Sequence, residues 1–329
     1  MGSSSTPSPE FATAFLARSG PAGVLPFADF MELALYHPEL GYYRQARKRV
    51  GYEPGTDFYT ASTSGPVFGE MISAACVTLL GGEAEARDHV FVEIGAEPGG
   101  GVLAGVAHPF ASTRTLHVGE ALEISGHCVV FSNELFDAQP LRRFVRRGAV
   151  WKELGVSLHA DTLREIELGD VSAPWLPSEA AEGYVFDAPR TAVELATRLA
   201  EQPWDGLFVA FDYGKSLAEL ATATPAGTTR AYFQHKQSNE LLARPGEQDL
   251  TGHVCWDWLV DALDGAGFVG SAVESQESFF IHHAGQFLSQ AMAAEASRLS
   301  PRKLALLQLL HPSHLGQKFQ VLHARRQKA

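Results

Sequence analysis

Three runs in this chain, VFVEI (90–94), CVVFSNE (128–134) and LFVAF (207–211), are almost wholly apolar and then stop abruptly. The first stops at the glycine-rich GAEPGGG, the second at Asn133 and Glu134, the third at Asp212-Tyr213-Gly214. A strand apolar at every position has both faces covered, as in a mostly parallel sheet with helices on either side. Helix-like segments do alternate with these runs. FADFMELAL (27–35) is amphipathic, and Ser64 with Pro66 opens a second helix that Gly81-Gly82 end. VLAGVA after Gly101, Arg190 to Glu201, Trp256 to Ala266 and two stretches from about Gly285 to Leu310 follow. Further strands are expected at Thr115 to Gly119, Phe268 to Val273 and Phe319 to His323. The fold class is therefore α/β, a mostly parallel doubly wound sheet. FVRRGAVWKELGVSLHA, within Phe144 to Leu168, reads as an inserted antiparallel β element.

The expected organisation is a disordered segment over 1–10 and one domain over 11–329. Within it, 11–88 forms an N-terminal helical cap, 89–143 and 190–329 the core, and 144–189 the β insertion. The net charge of -12 opposes a passive nucleic-acid binder, which carries a basic footprint. Cys76, Cys128 and Cys255 form no CxxC pair, which fits a reducing compartment. No apolar stretch reaches the roughly twenty residues of a membrane span, and MGSSSTPSPE lacks a following apolar h-region. A cytoplasmic protein without membrane or nucleic-acid partners is expected. The thirteen histidines show neither HExxH nor HxH spacing, and His282 and His283 are expected to face apart, so no metal is assigned.

In open α/β sheets ligands bind beyond the carboxyl ends of the strands. Asn133, Glu134 and Asp137 are placed there, and a helix starting after Ser132 would put Asn133 and Asp137 on one face. Helix capping by Ser132 or Asn133 accounts for the same residues. Asp212 ends the neighbouring run, where it could equally shape a turn. Glu93, just before the glycine loop, is a carboxylate on an apolar strand and needs a partner. Gly95, Gly99, Gly100 and Gly101 match neither GxGxxG nor GxxxxGK[ST], so a dinucleotide or P-loop phosphate site loses support. The loop either cradles an anionic group or simply joins strand to helix. Tyr52 to Glu70 and Gln234 to Val254 are long, polar and aromatic-bearing, the composition of crevice walls.

LALYHPELGYY, TDFYTASTSGPVFGE, VEIGAEPGGG, SNELFDAQP, FDYG, PGEQDLTGHV and HPSHLGQKFQVL follow one another in this order. From about Phe27 to about Leu322 the chain thereby resembles the MidA family of class I S-adenosylmethionine-dependent methyltransferases, which includes the mitochondrial complex I assembly arginine methyltransferase. The resemblance implies a Rossmann-like core, S-adenosyl-L-methionine as cofactor and a protein acceptor, with arginine the expected residue. It assigns Asn133, Glu134, Asp137 and Asp212 to catalysis. Cofactor contacts fall to Thr60, Phe68, Glu93, Gly95, Gly99, Gly101, Glu120 and Asn133. The oligomeric state stays open, a homodimer among the options.

Two features depart from the family pattern. Glu97 stands in a loop that usually runs glycine, proline, glycine, where its charge would oppose the cofactor's carboxylate. Only 38 positions separate Gly95 from Asn133, room for one helix and one strand. The strand whose terminal acidic residue would hold the ribose hydroxyls is thus expected to be missing, with Glu120 the nearest substitute. The alternative reading is a non-catalytic binding or assembly module that keeps the fold without the cofactor.

Overall fold

The apolar runs pair as their composition dictates. The computed structural model describes residues 4–327 except 46–48, 50, 52–55, 58–64, 98–99 and 297–299. In it, β1 (Val90–Ile94), β2 (Ser112–Leu116), β3 (Gly126–Asn133), β4 (Trp204–Asp212), β5 (Val269–Ser275) and β6 (Gln320–Arg326) form one sheet, ordered β5-β6-β4-β3-β1-β2. The pairings among β1 to β4 are parallel, and β6 runs antiparallel between β4 and β5. Val129 and Phe131 of β3, with Leu207, Val209 and Phe211 of β4, join a core with α1 (Pro66–Leu80), α2 (Gln276–His283) and α3 (Pro301–Leu310). Phe208 and Ala210 alternate to the other face and are also buried, so the sheet is covered on both sides.

Residue contacts divide the chain into two units. The first comprises Met1–Phe58, Phe136–Glu194 and Lys215–Asp257; the second, holding the sheet above, comprises Tyr59–Leu135, Leu195–Gly214 and Trp258–Ala329. This differs from the single domain expected over 11–329, and it splits the supposed N-terminal cap between the two. The β insertion is antiparallel as expected, with strands at Arg142–Arg147, Val150–His159, Thr162–Val171 and Val185–Ala188. Val24–Pro26 extends that sheet, which is why residues near the amino terminus group with the insertion.

Of the opening ten residues, the described ones, 4–10, contain regular structure where disorder was expected. Ser4 and Ser5 pair with Arg164 and Leu163, and a helix spans Pro9–Ser19. Ser8 caps that helix by accepting the Phe11 N–H at 3.1 Å, Pro9 fits its first turn, and Phe11 and Phe15 bury its apolar face. A second correction concerns VLAGVA, which forms no helix. Turns closed by Ala104 N–H to Gly101 O and Val106 N–H to Leu103 O take its place. Gly105 sits at φ 73°, a left-handed value that interrupts any helical ladder, and Pro109 follows.

Candidate functional site

Parallel pairing brings four strand ends to one edge of the second unit. Leu116, Ile94, Ser132 and Ala210 stand in one row across β2, β1, β3 and β4. The next positions, His117, Gly95 and Asn133, therefore open together at the carboxyl edge. Gly95 N–H donates to Leu116 O at 2.8 Å, and Glu134 N–H to Phe211 O at 2.9 Å, extending the ladder to its rim. The strand kept by the shortened stretch, β2, is thus the direct neighbour of the glycine strand.

Asn133 donates from Nδ2 to Glu134 Oε1 at 3.1 Å, while its Oδ1 is buried and makes no hydrogen bond to any described residue. Ser132 Oγ beside it is in the same condition. Glu134 has φ 52°, an unusual conformation for a side chain of its size and a mark of local strain. That left-handed residue stops the expected helix. Asn133 and Asp137 consequently do not share a helical face, and Asp137 belongs to the first unit. Asp212 is fully buried and accepts the N–H of Tyr213 at 2.8 Å.

Glu93 turns under the glycine loop and accepts the Val102 N–H at 2.5 Å. Burial pushes this carboxyl up to about 7, against the opposing pull of that hydrogen bond and of His117. Gly101 is a glycine for want of space: a Cβ there would lie 2.3 Å from Glu93 Oε2 and 2.7 Å from Thr115 Cγ2. His117, which the sequence did not single out, pins the loop by an Nδ1 contact of 2.8 Å with Ala96 O. Glu120 is exposed and closes its own turn, taking the His117 N–H at 2.8 Å. Phe68 packs in the core, edge-on to Phe211 at 5.7 Å. Thr60 and Gly99 lie outside the described residues, as does most of the segment from Tyr52 to Ser64.

The first unit, by itself, holds a cluster that the chemistry of single residues did not reveal. Tyr43 donates to Asp249 Oδ1 at 2.9 Å and stacks on Tyr36 with ring centres 5.5 Å apart. Burial, then the charges of Asp249 and Asp137, push the Tyr36 hydroxyl well above its usual range. Asp249 and Asp137 are both buried. Carboxylates beside aromatic faces suit a cationic group. Asp137 was singled out in the sequence; for Tyr36, Tyr43 and Asp249 the signal was the motifs LALYHPELGYY and PGEQDLTGHV that carry them.

His282 and His283 correct another expectation, since both reach Glu274, through different oxygens. Among the described residues no helix is long and apolar enough to cross a membrane.

A family model described as "Putative S-adenosyl-L-methionine-dependent methyltransferase" matches residues 110–271. The zebrafish (Danio rerio) protein arginine methyltransferase NDUFAF7, mitochondrial, is 24% identical over 370 residues, spanning 91% of this chain and 82% of its own. The crystal structure of a Burkholderia thailandensis protein bound to S-adenosyl-homocysteine superposes with a TM-score of 0.80 at 22% identity, covering 98% of this chain and 95% of that one. A native crystal structure of a protein from the same organism gives 0.75 at 21%, with the same coverage. Family model, relative and fold point the same way: the chain is similar to S-adenosyl-L-methionine-dependent methyltransferases, by sequence over 110–271 and by fold along nearly its whole length.

Proposed function

We propose that this methyltransferase acts on a protein arginine and that its acceptor chemistry is carried by Glu134. The observation that carries the reading is the pairing of a strained Glu134 with a buried, unpartnered Asn133 Oδ1 at the carboxyl end of β3. Strain of that kind persists where surrounding structure enforces it, and it gathers at working sites.

The residues fit the cofactor. Asn133 Oδ1 requires a donor, which the amino group of S-adenosyl-L-methionine would provide. Gly95 brings bare backbone to the same edge, and Glu120 follows β2 where ribose hydroxyls would be held. When bound, the cofactor supplies an activated methyl group on a sulfonium. The chain's part is to orient the acceptor, exclude water and manage a proton, with positioning worth up to roughly 7–11 kcal/mol. A guanidinium keeps its proton to above pH 12 or so, hence a carboxylate must hold it in line and accept the charge. Glu134 has the placement for that role. The zebrafish relative is named an arginine methyltransferase, which supports arginine as the acceptor. That relative is also named mitochondrial, so the cytoplasmic expectation gains no support from it.

One observation favours the rival, a binding module without cofactor: among the described residues the glycine loop leads into turns rather than a helix, so it lacks the helix amino terminus that favours an anionic group. Calorimetric titration with S-adenosyl-L-methionine separates the two. The enzyme reading expects saturable binding, with Glu134→Gln abolishing methyl transfer while cofactor affinity stays within severalfold. Absence of binding at ten times physiological concentration supports the module, and normal turnover in Glu134→Gln removes the assignment of Glu134.

A further inference from the structure

Far along the sheet from the glycine loop, three imidazoles converge on one carboxylate. Glu274 lies on β5 and His323 on β6; the register pairs Glu274 with Val321 and Ala272 with His323, so the two are diagonal neighbours on one face. That face also carries Val321, part of the core under α2. The last turn of α2 contributes His282 and His283. His283 Nε2 and His323 Nε2 approach the same oxygen, Glu274 Oε1, at 2.8 and 3.1 Å. The other oxygen, Oε2, is held by His282 Nδ1 at 2.6 Å and by Ser278 Oγ at 3.2 Å. Phe279 packs against the His283 and His323 rings, 5.1 and 5.6 Å between centres, which fixes their orientation.

We infer that Glu274, His283 and His323 form a binding site for a divalent transition-metal ion of the zinc class. Their ligand atoms all lie within 4.8 Å of one another. With metal–ligand bonds of about 2.0–2.1 Å, donors of a tetrahedral site stand roughly 3.3 Å apart, so the two imidazole-to-carboxylate separations of 2.8 and 3.1 Å need to open by only a few tenths of an ångström. Two imidazoles and a carboxylate are a donor set suited to zinc and its neighbours rather than to calcium or magnesium. Each donor comes from a different element, and a bound ion would tie β5, β6 and α2 together. His282 and Ser278 would orient the carboxylate through its second oxygen, as partners of metal ligands commonly do. The side of the cluster at His282 is open, its side chain 59% exposed against 10% for His323, leaving an entry path and room for water as a further ligand.

The test is zinc chloride titrated calorimetrically into the full chain after chelator treatment and dialysis. One ion per chain is expected, with a Kd of about 1 µM or tighter. His283→Ala and His323→Ala should each weaken it at least tenfold with unchanged circular dichroism, while His159→Ala, at the exposed end of the strand Val150–His159, should not. In the unaltered chain, cobalt(II) should give the intense visible bands of low-coordinate imidazole ligation, and zinc should bleach them. Either no stoichiometric uptake and no cobalt bands, or uptake equally strong in both variants, would overturn the inference. Should a variant fail to fold, the cobalt spectrum of the unaltered chain decides alone.

Discussion

The Glu93 carboxylate lies 2.5 Å from the N–H of Val102, nine positions further on, so the glycine loop is tied back to the strand that launches it. A carboxyl buried in this way prefers its proton. Its folded value of about 7 lies above the ordinary 4.5, and the folded chain therefore binds the proton more tightly than the unfolded one. The cost of ionising it is absent below about 4.5, grows as pH rises, and is complete above about 7. Glu93→Gln carries no such charge, and its amide oxygen still accepts the Val102 N–H. The variant should gain stability relative to the unaltered chain between these values, by about 1–3 kcal/mol at its plateau. Urea denaturation across that range checks it; a difference independent of pH would show that Glu93 titrates normally.

Gly101→Ala should be far more damaging than an alanine in a loop usually is. The new methyl would sit 2.3 Å from Glu93 Oε2 and 2.7 Å from Thr115 Cγ2, so the carboxylate has to swing away and surrender Val102. A loss of about 1–3 kcal/mol is expected, together with faster amide exchange at Val102. Wild-type exchange at that amide would mean that the carboxylate has kept its place and the strand has moved instead.

What the sequence could and could not convey follows from which forces are local. VFVEI, CVVFSN and LFVAF announce strands buried on both faces, because covering each side residue by residue leaves its mark on every position. The loop after Gly101 misled for the opposite reason. Its glycines and apolar residues suit a helix start, but the backbone turn at Gly105 and the stop at Pro109 decide the outcome. Asn133 and Asp137 were expected on one helical face, and nothing in the letters SNELFD tells that Glu134 takes φ 52°. The Glu274 cluster was hidden by distance: its members are separated by 49 positions, and only the pairing of β5 with β6 brings them together.

That same φ at Glu134 yields a separation of stability from activity. A non-glycine residue held in the left-handed region costs about 1–2 kcal/mol, and glycine does not. Glu134→Gly should therefore fold at least as stably as the unaltered chain, with a gain of up to about 1 kcal/mol after the entropy of the added glycine is subtracted. It should nonetheless lose methyl transfer, since the carboxylate is gone. Thermal unfolding alongside an assay of methyl transfer tests both halves. A marked fall in stability would mean that the contacts of the side chain outweigh the strain of its backbone.

In the first unit, stability should depend most sharply on Asp187. Its Oδ2 accepts the N–H of Thr228 at 2.6 Å, the N–H of Thr229 at 2.8 Å and Thr229 Oγ1 at 2.7 Å, and its Oδ1 lies 3.1 Å from Arg143 Nη1. Both side chains of that ion pair are buried, and the guanidinium packs over the Phe27 ring at 5.0 Å. Asp187→Ala strips three donors and leaves a buried cation with, among the described residues, Glu165 at 3.5 Å as its remaining carboxylate. A loss of about 3–5 kcal/mol is expected from breaking such a pair on one side. Arg143→Met removes the cation but leaves Asp187 its three hydrogen bonds, and should cost less. Adding Arg143→Met to Asp187→Ala should then recover part of the loss, because the uncompensated charge goes with it. A double-mutant cycle in guanidinium chloride measures the recovery, and strictly additive losses would show that the hydrogen bonds to Thr228 and Thr229, not the ion pair, set the stability of this corner.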